Sequence, residues 1–118
     1  MSDKFVQQFL GAPDTREVLE WLRTTPDGEF RSLGESGSTE DSIALAQEIY
    51  DAGAAEVLAV EIDEYEDEVQ NTGRLVIKLP DEAEARKRVF AWTNAISESH
   101  GFDPEPDTGQ HYLFTMLD

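Results

Sequence analysis

Apolar residues recur along this chain in two rhythms, one near 3.6 residues and one of two, and each change of rhythm predicts a change of element. Phe5, Val6, Phe9 and Leu10 have helical spacing and stop at Gly11 and Pro13, which predicts a short amphipathic helix or a folded-back arm. Asp14 and Glu17 have capping-box spacing ahead of Val18, Leu19, Trp21 and Leu22, so a helix is expected over about 15–24. Pro26, Asp27 and Gly28 end it in a turn. Phe30 anchors a short strand over 29–33, and the Gly- and Ser-rich stretch 34–39 reads as a flexible connector. Ser38 or Thr39 then caps a helix carrying Ile43, Ala46, Ile49 and Tyr50, which Gly53 stops.

The period-two signal is clearest over 56–63, where Leu58, Val60 and Ile62 alternate with Val57, Ala59 and Glu61. A returning strand over 74–79 places Leu75, Ile77 and Leu79 inward, with Val76 and Lys78 outward. The acidic connection from Asp63 to Glu68 is too charged to be buried, and the two strands are expected to form an antiparallel hairpin. Pro80 breaks the second strand, and Asp81 with Glu84 opens a helix whose Ala85, Val89, Trp92 and Ile96 share one face. That helix ends near His100 and Gly101, and a proline-bearing loop over 102–109 follows. In the last strand, over 110–117, Tyr112, Phe114 and Met116 alternate with Leu113, Thr115 and Leu117.

From residue 29 onward the order is β-α-β-β-α-β. It predicts an α+β domain of ferredoxin-like plan, a two-layer sandwich of a four-stranded antiparallel sheet with two helices on one face. The division expected is a helical extension over 1–26 and the sandwich over 27–118. Leu58, Ile77 and Phe114 are assigned to the helix-covered layer. Val57, Ala59, Val76 and Leu113 then fall on the other face, beside Glu61, Lys78, His111 and Thr115. Such a mixed face is expected to be covered by the N-terminal helices or paired in a homodimer. Phe90 lies about 100° around its helix from the Trp92 face, which makes Trp92 core and Phe90 a contact residue. The candidate interaction residues are therefore Val57, Glu61, Val76, Lys78, Phe90, His111 and Leu113.

Charge sharpens the functional reading. The chain carries 9 Lys and Arg against 26 Asp and Glu, for a formal net charge of −17. Such a field repels nucleic-acid backbones and anionic membranes, so neither is an expected partner. The acidity fits a solvated, salt-tolerant surface, a basic protein partner, or mimicry of nucleic acid. Its 118 residues fit one core, and 39% hydrophobic content supports folding. With no cysteine, disulfides and thiolate chemistry are excluded. The segment Met1 to Leu10 is too short and polar for a signal peptide, and cytoplasmic location is the expectation.

No chemistry-bearing constellation emerges. His100 fits a helix end and His111 opens a strand, and no Ser-His-Asp set assembles around either. The Gly34–Ser38 stretch lacks the spacing of a nucleophile elbow and the ending of a P-loop. The run Asp63, Glu64, Glu66, Asp67, Glu68 has no internal glycine to fold carboxylates around calcium. Asp103, Glu105 and Asp107 fail the EF-hand pattern, because the twelfth position is Phe114. Arg86, Lys87 and Arg88 make a small basic cluster beside Glu82 and Glu84. No catalytic, cofactor or metal residue is assigned. The expected function is a non-catalytic interaction or regulatory module, acting on a protein or a small ligand. The alternatives are an acidic nucleic-acid mimic that inhibits a basic protein, and a carboxylate- or metal-dependent hydrolase.

Overall fold

Three strands of this chain are apolar on both faces, and that property decides how its layers stack. A computed structural model describes residues 3–117; Met1, Ser2 and Asp118, at the two ends of the expected segments, lie outside the described residues. The elements are α1 Asp3–Val6, β1 Arg16–Glu17, α2 Val18–Arg23, β2 Phe30–Leu33, α3 Thr39–Ala52 and β3 Glu56–Ala59. They continue with β4 Asp63–Tyr65, a 3-10 turn Glu66–Glu68, β5 Val69–Thr72, β6 Arg74–Lys78, α4 Ala83–Ser99 and β7 Tyr112–Met116. The chain is thus a mixed α+β fold.

Local chemistry starts and stops the helices. The Ser38 hydroxyl accepts the Asp41 amide at 3.0 Å, and Glu40 and Asp41 sit in the first turn of α3. The other two caps fall later than the capping-box spacing predicts. Glu17, rather than Asp14, accepts the Glu20 amide at the start of α2, and Glu82, rather than Asp81, accepts the Ala85 amide at the start of α4.

The strands divide into two sheets. One has the order β1-β3-β6-β7 and is antiparallel throughout; the other has the order β2-β5-β4, with β2 parallel to β5. This order departs from the ferredoxin-like expectation, in which the strand over 29–33 would join the main sheet. Phe30–Leu33 pairs instead with Val69–Thr72, and β7 lies directly beside β6. The cause is the connection after β3. Its acidic residues stay in solvent, as expected, but their backbone forms β4 and β5 and offers β2 a partner outside the main sheet. Thr72 turns the corner into β6: its hydroxyl donates to the Val60 carbonyl at 2.6 Å and accepts the Arg74 amide at 3.1 Å.

Both faces of the main sheet are covered. Val57, Ala59, Leu75, Ile77 and Leu113 join Val18, Trp21, Leu22, Ile49 and Val89 in the larger core. Leu58, Val60, Val76 and Phe114 pack with Val6 and Phe9 of the N-terminal segment in a smaller one. The register sets Val57, Ile77 and Leu113 side by side, and Leu58, Val76 and Phe114 likewise. The expected phase is therefore correct for β6 and reversed for β3 and β7. Alternation cannot choose the inner face when both sets are apolar. Among the described residues no helix is long and apolar enough to cross a membrane.

Candidate interaction surface

The seven residues singled out from the sequence do not share a surface. Val57 and Leu113 are buried under α3 and α4, at 0% and 1% exposure. Val76 is equally buried on the opposite face, beneath Val6 and Phe9. The face expected to need a cover thus has one, supplied by the N-terminal segment. Lys78 is exposed at the end of β6. Glu61 lies in the turn after β3 at a positive φ of 50°, with its carboxylate 3.9 Å from Arg74. His111 is exposed, and its amide donates to both Asp3 carboxylate oxygens at 3.0 Å. Phe90 is buried in the larger core, which corrects its assignment as a contact residue, while Trp92 packs half-buried against that core. The buried stripe of α4 is Ala85, Val89, Phe90 and Thr93, rotated from the expected one, and the Arg86 guanidinium carbon lies 5.8 Å from the Phe90 ring centroid.

Two residues of the basic cluster, Arg86 and Arg88, bond within the molecule, while Lys87 is exposed. Arg86 makes a two-pronged contact with Asp107, at 2.6 and 3.2 Å, and donates to the Gln110 carbonyl at 3.1 Å. The Asp107 carboxyl is held below the usual range by that guanidinium and by the Gly109 amide, and the Arg86 guanidinium is pushed up by the same hydrogen bond. Arg88 donates to the Ala52 carbonyl, tying α4 to the end of α3. The stretch 34–39 is also pinned rather than loose. The Ser42 hydroxyl takes the Leu33 amide at 2.8 Å, donates to the Ser38 carbonyl at 2.8 Å and meets the Ser36 hydroxyl at 2.5 Å. Among the described residues no three His, Asp or Glu come together in a way that could hold a metal ion.

A concavity of 450 Å³ is lined by Leu33, Leu45, Glu48, Ile96, His100 and Leu117 among others, and two more bear on binding. The first is a polar cleft of 520 Å³ between α2 and the second sheet, lined by Glu17, Glu20, Trp21, Arg31, Glu64 and Gln70 among others. Its polar groups are largely engaged with one another. The Trp21 indole donates to Gln70 at 3.2 Å, and the Gln70 amide donates to Glu64 at 3.0 Å. Arg31 donates to the Trp21 carbonyl at 2.6 Å and lies 5.9 Å from the Trp21 ring centroid.

The second concavity runs along β7, the last strand of the main sheet, whose outer side has no strand neighbour among the described residues. The Leu79 amide bonds to the His111 carbonyl and the Leu117 amide to the Gly73 carbonyl, which fixes the ladder phase. Leu113 and Thr115 therefore bond inward to β6, and the peptide groups of Tyr112, Phe114 and Met116 face outward. Asp3 takes the Tyr112 amide at 3.0 Å. Beyond it, the N–H and C=O groups of Phe114 and Met116 have no hydrogen-bond partner among the described residues. Beside them lies a groove of 410 Å³ walled by Phe102, Pro104, Pro106, Phe114 and Met116, with Asp103 and Glu105 also lining it. Phe102 is 48% exposed. Asn94 holds this wall in place, donating to the Glu105 carbonyl at 3.2 Å and accepting its amide at 2.8 Å.

Side-chain alternation in β7 gives no sign of this groove, because alternation does not show which peptide groups lack a neighbour. The available signal was the run Phe102-Asp103-Pro104-Glu105-Pro106, an apolar residue and two amide-less prolines just before a terminal strand. The chain matches no protein-family model, no curated protein and no solved structure.

Proposed function

We propose that this chain is a non-catalytic interaction module that takes an extended segment of a partner protein along the outer edge of β7. The observation that supports this reading is the row of outward peptide groups at Phe114 and Met116 beside an apolar groove. An edge strand of this kind is a template for another strand, and added strands gain affinity from backbone pairing and specificity from side-chain pockets. The net charge of −17 sets the module against nucleic acid and anionic membranes as partners. Peptides selected from a random library on the full chain test the reading. They are expected to slow hydrogen exchange at the Phe114 and Met116 amides and to bind less well to Phe102→Ala. Protection confined to other amides overturns it.

A further inference from the structure

The available stretch of β7 is short, since Asp3 occupies the Tyr112 amide and Phe114 and Met116 are the outward residues without a backbone partner among the described residues. Two residues of backbone pairing exchange hydrogen bonds with water for hydrogen bonds with a partner, a nearly balanced trade. Selectivity must therefore come from side chains. The groove wall is apolar, with Phe102 half in solvent and Pro104 and Pro106 presenting ring carbons without amides. Asp103 is exposed and lines the same groove, and no Lys or Arg does among the described residues. Arg86, on α4, is held by Asp107 and Gln110.

We infer that the segment β7 accepts is basic: an extended stretch in which Lys or Arg alternates with an apolar residue that fills the groove between Phe102 and Met116. This rests on the reading that β7 takes an added strand, and it names the chemistry of that strand. Alternation follows from the strand period of two, which sends apolar side chains to the groove and cationic ones to the acidic surroundings. Charge also decides against a second copy of this chain as the occupant. Each copy carries −17 and would bring the same exposed Asp103 to the shared edge.

Three capped heptapeptides test this against the full chain, each with Val at alternate positions and Lys, Thr or Glu at the others. Amide exchange at Phe114 and Met116 is followed by NMR, and affinity by titration at low and high salt. The Lys peptide is expected to protect both amides, to bind roughly tenfold more tightly than the Thr peptide, and to lose that advantage in high salt. Asp103→Asn is expected to reduce the preference, and Phe102→Ala to weaken Lys and Thr peptides alike. Equal protection by all three peptides leaves edge addition standing and overturns the charge inference. Binding of the Lys peptide without protection of either amide overturns both. Protection that rises with protein concentration in the absence of peptide makes a second copy the occupant, and also overturns the inference.

Discussion

The Tyr50 hydroxyl donates to the Glu17 carboxylate at 2.5 Å and at the same time accepts the Val57 amide at 2.9 Å. This pair of bonds repairs a gap in the sheet. In the β1–β3 register Arg16 faces Ala59 and Glu17 faces Leu58, so the next partner of Val57 would be Val18. Val18 has already entered α2, and the phenol on α3 takes the place of the missing strand residue. Glu17 meanwhile spends its other oxygen on the Glu20 amide, at 2.7 Å. One tyrosine thus links α3, β3 and the start of α2.

Tyr50→Phe is expected to destabilise the fold by about 1–3 kcal/mol, the cost of leaving a buried amide and a carboxylate oxygen without their partner. Chemical denaturation of the two proteins checks this. An unchanged midpoint would mean that water replaces the phenol at no cost.

The same phenol gives an alkaline limb to stability. Burial, then the hydrogen bond to Glu17, push its pKa above the ordinary value. The folded state therefore keeps a proton that the unfolded state releases near pH 10. The stabilisation is complete below that pH and declines as pH rises towards the folded value. Thermal midpoints measured between about pH 9 and pH 11 are expected to fall more steeply for the wild-type chain than for Tyr50→Phe.

At the acid end the corresponding pair is Arg86 with Asp107. The Asp107 carboxyl is depressed by the guanidinium and by the Gly109 amide, so its contribution is present above the ordinary carboxylate range. It is lost as pH falls through the folded value. Asp107→Asn is expected to lower the thermal midpoint at neutral pH, and its gap to the wild type is expected to narrow as pH falls below the ordinary carboxylate range. A gap between the two that persists at low pH would assign Asp107 a role other than charge.

Much of the fold is legible in the sequence, and the misreadings have particular causes. Helices α3 and α4, strand β6 and the cover over Val76 follow from spacing and from aromatic residues that need burial. Strands β3 and β7 were placed but inverted, because Leu58 and Val57, or Phe114 and Leu113, are equally fit for an interior. Phe90 is misread as a contact residue because the buried stripe of α4 runs through Ala85, Val89, Phe90 and Thr93, a polar position that hydropathy does not mark. Strand β4 lies inside a run of carboxylates and β5 in the mostly polar stretch Val69–Thr72, where backbone pairing leaves no trace in hydropathy. The edge of β7 was invisible for a similar reason: whether a peptide group has a neighbour depends on strand order, and the order turns on where 30–33 goes.

The N-terminal segment is held by aromatic contacts as well as by the Asp3 carboxylate. The Phe9 ring stacks on Phe114 with centroids 5.4 Å apart and planes 10° from parallel, and meets Phe5 edge-on at 5.6 Å. Phe9→Ala is expected to cost about 3 kcal/mol and to uncover Val76 and Phe114. Denaturation measures the first effect, and increased binding of a hydrophobic dye measures the second. A stable variant that binds no dye would show the segment to be dispensable as a cover.

Gly53, at the end of α3, answers to two constraints that substitution can separate. Its φ of 122° is one that side-chain-bearing residues rarely adopt, and a Cβ added there would lie 2.8 Å from the Ala85 Cβ at the start of α4. Gly53→Ala is expected to cost about 2–4 kcal/mol, part backbone strain and part collision. Ala85→Gly removes the collision and leaves the strain, at its own helix cost of about 1 kcal/mol. The loss caused by Gly53→Ala should therefore be smaller in the Ala85→Gly background, with a coupling of about 1 kcal/mol by double-mutant cycle. Additive losses would mean that α4 shifts freely away from Gly53, and that the close approach of the two helices does not constrain position 53.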